Sequence, residues 1–160
     1  VHGFKREAFS QPLKDMLRSF GLTNEHLEGR LKNMPLACLG GKTTRHAMQT
    51  LGTEGGRGMI YPQVWTDHWT ARAKRVLADG LSVVEEGTRF PNEIEAVKAL
   101  GGYVLFVDRP ADDRGVSSDH VSELGNLKSL CHATISNHGD IHDLYENIET
   151  VLQALVNQHG

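Results

Sequence analysis

The chain has 160 residues, 39% apolar and 23% charged, with 17 glycines, 5 prolines and a formal net charge of −3. That length suits one domain (1–160) with a sizeable core, and the composition excludes fibrous and disordered classes. The acidic balance argues against nucleic acid as a partner, since broad binding needs a basic surface to displace counterions, but a few local Arg and Lys could still hold a small phosphorylated ligand.

From Arg6 to Phe20 the apolar residues Ala8, Phe9, Leu13, Met16, Leu17 and Phe20 recur at helical spacing, with Pro12 a start or break and Gly21 the stop. Residues 22–42 are polar and mixed and close on Gly40-Gly41. Thr43-Thr44 can cap a helix over Arg45–Leu51, which Gly52 stops. The glycine-rich stretch 53–62 reads as a loop. Helical spacing returns from Val64 to Leu77 through Trp65, His68, Trp69, Arg72 and Val76.

The second half alternates strand and helix. Leu81-Ser82-Val83-Val84 reads as a buried strand, followed by a polar turn and a helix over 91–100 that Gly101-Gly102 ends. Tyr103–Val107 is the clearest strand. Residues 109–130 form an Asp/Arg/Ser-rich excursion, Ala133–Ser136 a short strand, and 141–156 an amphipathic helix with Leu144, Ile148, Val151, Leu152 and Leu155 on one face. This grammar predicts an α/β fold, a three-layer parallel sheet with helices on both faces. Ligands in such sheets bind beyond the carboxyl ends of the strands, which directs attention to the turns bearing Arg89 and Arg109.

Cys38 and Cys131 form no CxxC pair, so a reducing cytoplasm is the simpler expectation. No run of about 18 apolar residues and no signal-peptide pattern occurs, which predicts a soluble chain with no membrane partner. The start at Val1-His2-Gly3-Phe4 lacks an initiator Met; either a tag was removed or upstream residues are absent.

Several motifs have both a bland and a chemical reading. Gly41-Lys42-Thr43 invites comparison with a phosphate-binding loop, but the motif needs Gly five residues before Gly41, and Leu36 stands there. Gly52-Thr53-Glu54-Gly55-Gly56-Arg57-Gly58 is either a flexible linker or a loop whose backbone approaches a ligand, with Arg45 and Arg57 as fixed charges. In Thr88-Arg89-Phe90-Pro91-Asn92-Glu93, capping by Thr88 or Asn92 with acidic Glu93 explains the polar residues. It does not explain an arginine at a helix start, which favours an anionic partner for Arg89. Asp108-Arg109-Pro110 is either a surface ion pair or the base of a mobile lid. The nine histidines show no metal-ligand spacing. Trp65 and Trp69 share a helical face, where packing is the default and base stacking the minority reading.

Taken together, Phe9-Ser10-Gln11-Pro12-Leu13-Lys14, Arg45-His46-Ala47-Met48-Gln49-Thr50-Leu51-Gly52-Thr53-Glu54, Trp65, Thr88-Arg89-Phe90-Pro91-Asn92-Glu93, Val107-Asp108-Arg109-Pro110, His120-Val121-Ser122-Glu123 and Ile135-Ser136-Asn137 resemble the bacteriophage deoxynucleoside monophosphate kinases, a branch of the P-loop nucleotide kinases. The resemblance implies transfer of the terminal phosphoryl group of ATP, with Mg²⁺, to a deoxynucleoside monophosphate, and leaves a homodimer open. It implies that Lys14 and Arg45 grip the monophosphate, that Gly52 and Thr53 line its site, and that Trp65 packs on the base or sugar. Arg89 and Glu93 would contact the nucleotide, Arg109 would act catalytically from the lid side, and Asn137 would lie near the adenine of ATP. Residues 22–62 and 109–130 would be substrate and lid excursions. No residue is assigned to the metal.

Three positions depart from the family pattern. The first strand and the phosphate loop that precede the Lys14 helix in the family have no counterpart here. Gly87 stands where an acidic residue usually ends the strand, and Gly55 where a Trp often follows Gly-Thr-Glu. The expectation is therefore a nucleotide kinase that is N-terminally incomplete or degraded. The alternative is a non-catalytic nucleotide-binding or assembly protein that retains the kinase fold.

Overall fold

The computed structural model describes residues 3–110 and 127–159, in which the chain divides into two units, Val1–Thr88 and Arg89–Gly160. The predicted His120-Val121-Ser122-Glu123 segment and most of the 109–130 excursion lie outside the described residues.

The first unit opens on β1 (Phe4–Arg6), parallel to β4 (Ser82–Val84) in the register Phe4↔Ser82, Lys5↔Val83, Arg6↔Val84. The Glu7 N–H extends the ladder to the Val84 carbonyl at 3.0 Å. A helix was expected from Arg6, but α1 starts only at Gln11 (Gln11–Arg18). Pro12 accounts for the late start, because its missing N–H and fixed φ are tolerated only in a first helical turn.

Residues 22–43 contain more order than their polar composition suggests. They form α2 (Asn24–Leu27), a 3₁₀ turn (Arg30–Asn33), and a hairpin of β2 (Pro35–Leu36) with antiparallel β3 (Lys42–Thr43). Gly40 and Gly41 take φ of 61° and 78° in its turn, a left-handed backbone that glycine adopts without strain. Gly41-Lys42-Thr43 therefore enters a strand and builds no phosphate loop. The Thr43 hydroxyl accepts the His46 N–H at 3.1 Å and caps α3 (Thr44–Gln49), as predicted. Leu17, Leu22 and Leu27 form the core here, joined by Leu36, Leu39, Ala47, Met48 and Leu51. Leu17 and Leu27 are essentially fully buried, each contributing about 1.5–3 kcal/mol by removal from water.

The glycine-rich stretch read as a loop is a helix of another kind. Thr50–Ile60 continues α3 as a π-helix, with the Tyr61 N–H closing on the Gly56 carbonyl at 3.0 Å. Such wide helices are rare and tend to mark functional sites. After it, α4 (Val64–Ala78) buries Trp65, Trp69, Ala73 and Val76 along one stripe. Trp69 lies against Phe9 with ring centroids 4.6 Å apart and gives its N–H to the Glu7 carbonyl at 2.9 Å. Arg72 Nη2 donates to the Ala8 carbonyl at 2.6 Å. These bonds fasten α4 to the chain as it leaves β1.

In the second unit, α5 (Pro91–Ala99) precedes β5 (Leu105–Asp108), which pairs in parallel with β6 (Ala133–Ser136) from Leu105↔Ala133 to Asp108↔Ser136. Val104 falls just before the strand expected to include it, yet its carbonyl takes the His132 N–H at 2.8 Å and its own N–H goes to His132 Nδ1 at 2.9 Å. Ile94, Val104 and Leu127 form the core, flanked by Val97 and Cys131. Asp140 caps α6 (Ile141–His159), its carboxylate accepting the His142 N–H at 2.7 Å and the Asp143 N–H at 3.0 Å. Both cysteines are free thiols, and burial pushes that of Cys131 up.

The fold is mixed α/β, as the alternation predicted. Among the described residues the strands pair as three two-stranded sheets, a parallel pair in each unit and a hairpin that the alternation did not predict, and not as the one three-layer sheet expected. No helix among the described residues is long and apolar enough to cross a membrane.

Candidate functional site

Arg45 lies in the first turn of α3, exposed, where Thr43 has already fixed the start of the helix. Its Nε donates to Asn33 Oδ1 at 2.7 Å, and neither Nη group has a partner among the described residues. Lys14 is different in kind. Its ammonium is buried in α1 and sits 2.8 Å from Glu28 Oε1, just past α2. Segment 28–33 thus anchors both predicted phosphate-gripping cations, one at each end.

Glu28 joins a longer chain of charges. Arg6 Nη1 stands 3.9 Å from its second oxygen, and Arg6 also pairs with Glu86. The bond from Lys14 holds the Glu28 carboxyl below its ordinary value of 4.5, with Arg6 and Arg18 adding to the effect. A carboxylate depressed by folding contributes stability that is complete above its unfolded value and lost as pH falls through its lower folded value. Urea midpoints of the native chain and Glu28→Gln should therefore differ at pH 7 and converge in acid below about pH 4.5. Parallel curves across that range would show that the pair contributes nothing. Glu28 therefore competes with any other anion for Lys14.

Gly52, Thr53 and Trp65 are organised by the π-helix. The Trp65 indole N–H donates to the Gly52 carbonyl at 2.8 Å. A Cβ on Gly56 would fall 2.2 Å from Trp65 Cζ2, so the ring lies directly on the helix backbone there. Gly52 also faces Leu13, whose Cδ1 would be 3.2 Å from a Cβ at that position. Trp65 is buried, while Thr53 is exposed on the same π-helix. The indole therefore fixes where Gly52 and Thr53 stand.

The turn after β4 carries Gly87 at the position where an acid was expected. The carboxylate of Glu85 bends over it and accepts the Gly87 N–H at 2.9 Å and the Thr88 hydroxyl at 2.6 Å. A Cβ on Gly87 would lie 3.2 Å from Glu85 Oε1. An acidic group is thus brought to the turn from two residues upstream, which the sequence comparison did not reveal.

In the second unit, Arg89 is exposed just before α5. Glu93 is buried, and its carboxylate accepts the N–H groups of Arg89 at 2.8 Å and Phe90 at 3.2 Å. The helix starts at Phe90–Pro91, with Glu93 reaching back, so neither Thr88 nor Asn92 is its cap. Arg109 and Asn137 emerge beside one another at the carboxyl ends of β5 and β6, where the Asn137 N–H donates to the Asp108 carbonyl at 2.8 Å. The Asp108 carboxylate pairs with Lys128 at 3.1 Å and His138 at 3.7 Å. Lys128 first, then His138, holds its carboxyl below the ordinary range. Arg109 is exposed and has no ion-pair partner among the described residues.

Asn33, Glu28, Glu85 and Lys128 were not singled out from sequence. Asn33, Glu28 and Lys128 act through bonds to residues distant along the chain and Glu85 through a local turn, and residue type alone gives no sign of either.

Two comparisons bear on this geometry. A family model described as "Deoxynucleotide monophosphate kinase" matches residues 24–148. A protein of Acanthamoeba polyphaga mimivirus that provisionally carries the name deoxynucleotide monophosphate kinase is 30% identical over 162 residues, covering 91% of this chain and 81% of that protein. Its source is a giant virus, so the resemblance extends beyond bacteriophages.

Proposed function

The chain belongs to the deoxynucleotide monophosphate kinase family, and from that premise we propose that it binds a deoxynucleoside monophosphate and serves transfer of the terminal phosphoryl group of ATP to it. The observation that carries this reading is the state of Arg45, whose Nε is pinned by Asn33 at 2.7 Å while both Nη groups have no partner among the described residues. A guanidinium held by its shaft and open at its tip suits two phosphate oxygens at once, and it loses little freedom on binding. Phosphoryl transfer asks of a protein mainly positioning and positive charge near the phosphates. Arg45 and Lys14 would supply that to the acceptor, with Gly52 and Thr53 lining its site and Trp65 holding Gly52 in place. Arg89 and Glu93 would contact the nucleotide, Arg109 would offset charge on the transferring group, and Asn137 would lie by the adenine.

The donor side is less well provided. No Gly-x-x-x-x-Gly-Lys-Ser/Thr sequence occurs in the 160 residues, and Gly41-Lys42-Thr43 sits in a hairpin. The residues present therefore do not fit the triphosphate of ATP through consecutive backbone N–H groups. No group of three or more His, Cys, Asp or Glu among the described residues fits a metal ion. The second reading, a nucleotide-binding protein without catalysis, is supported by the hairpin placement of Gly41-Lys42-Thr43.

The test is to incubate the chain with ATP, Mg²⁺ and each deoxynucleoside monophosphate, follow diphosphate by chromatography, and measure monophosphate binding by calorimetry. Turnover removes the non-catalytic reading. Binding without turnover removes the enzymatic one, and no binding removes both. In the same calorimetry, Arg89→Lys should weaken binding about tenfold, since a point charge does not reproduce a bidentate grip. An unchanged constant would demote Arg89 to a surface residue.

A further inference from the structure

A cavity of about 520 Å³ opens in the first unit between α1, the β2–β3 hairpin and α3. Lys14, Arg45, Gly52, Thr53 and Trp65 do not line it. On α3 the lining falls to His46 and Ala47, and on the π-helix to Thr50 and Leu51; His46 is one residue, roughly 100° of helix, away from Arg45.

Its chemistry is divided. Met16, Phe20, Leu39 and Leu51 give it an apolar interior, and Phe20 and Met16 remain 61% and 41% exposed. Large apolar side chains left this open lose hydration cost when a ring covers them. Lys42 and His46 stand at the same opening, both exposed, and neither side chain has a partner among the described residues. No Asp or Glu lines the cavity. An apolar interior with basic groups at its mouth and no acid to neutralise them is complementary to an amphipathic anion. The volume falls within the range of roughly 300–1,000 Å³ usual for small-molecule pockets.

We propose that this cavity is a second ligand site, taking a small molecule built of a flat apolar ring system that carries one anionic group. The rings would lie on Phe20 and Leu51 and the anion at Lys42 and His46. This site does not depend on the kinase reading, so either can fail alone.

The probe is 1-anilinonaphthalene-8-sulfonate, compared with N-phenyl-1-naphthylamine, the same ring system without the sulfonate. Fluorescence titration of the native chain should give one saturable sulfonate site with clearly tighter binding than the neutral analogue. Lys42→Glu, at an exposed position, should weaken the sulfonate about tenfold or more and leave the neutral analogue unchanged. Ser19→Trp, at an exposed residue on the rim, should block the cavity and abolish binding of both dyes while the thermal midpoint is kept. Equal binding of the two dyes, or indifference of the sulfonate to Lys42→Glu, reduces the cavity to an apolar patch and overturns the proposal. Undiminished binding to a folded Ser19→Trp places the dyes elsewhere and overturns it equally.

Discussion

Gly56→Ala is expected to lower stability by about 2–3 kcal/mol, read as a fall in the urea midpoint of tryptophan emission. The direction opposes ordinary helix propensity, by which alanine in place of a helical glycine gains up to about 1 kcal/mol. Packing decides the sign here. The added Cβ would lie 2.2 Å from Trp65 Cζ2, 2.5 Å from Cε2 and 2.6 Å from Nε1, whereas carbon atoms settle about 3.5–4.0 Å apart. More than an ångström has to be found. The ring is 8% exposed and its N–H is bonded to the Gly52 carbonyl at 2.8 Å, so retreat breaks that bond and opens the core. Gly55 is the internal control. A Cβ there meets only the Thr50 carbonyl at 3.7 Å, an ordinary contact. Gly55→Ala should therefore be neutral or mildly stabilising. If the two alanine variants shift the midpoint alike, the contact with Trp65 does not determine the glycine.

The same contact explains a misreading of the sequence. Glycines in segment 52–58 argue for a loop by local rules, because each costs helix stability. The indole of Trp65 reverses that argument from nine residues beyond Gly56, since its ring lies on the bare backbone of Gly56 and its N–H bonds the Gly52 carbonyl. Propensity is local and this contact is not. β1 was missed for a related reason. Phe4-Lys5-Arg6 has no buried residue and no alternation, and only parallel pairing with residues 82–84 makes it a strand. By contrast, α4, β6 and the start of α6 were legible, because apolar periodicity and flanking turns there agree with the tertiary structure.

At the candidate site, residue types were legible and partners were not. Arg89 stands out as an arginine at a helix start, where positive charge opposes the helix dipole, and Arg45 as a fixed charge beside the glycine-rich stretch. That Asn33 would hold the Arg45 shaft, or that Glu28 would neutralise Lys14, depends on how α1, α2 and α3 pack. The two cations differ in consequence. Lys14 carries its counter-ion with it, while Arg45 is bonded to a neutral amide and keeps its full charge for a ligand.

That difference predicts the largest functional effect. Arg45→Ala should weaken deoxynucleoside monophosphate binding by roughly 10–100-fold, the loss of about 1.5–3 kcal/mol carried by hydrogen bonds to a charged group. Arg45→Lys should recover little of it, because an ammonium cannot span two oxygens and has no counterpart to the Nε that Asn33 grips. Asn33→Ala tests the orientation alone. It leaves the charge and removes the anchor, so binding should fall only a few-fold, and calorimetry should show the loss mainly as entropy from a fork that is no longer pre-organised. A double-mutant cycle joins the two. If the anchor works through the guanidinium, Asn33→Ala should cost nothing further once Arg45 is alanine. Full additivity would mean that Asn33 meets the nucleotide itself, and unchanged affinity in Arg45→Ala would remove Arg45 from the acceptor site altogether.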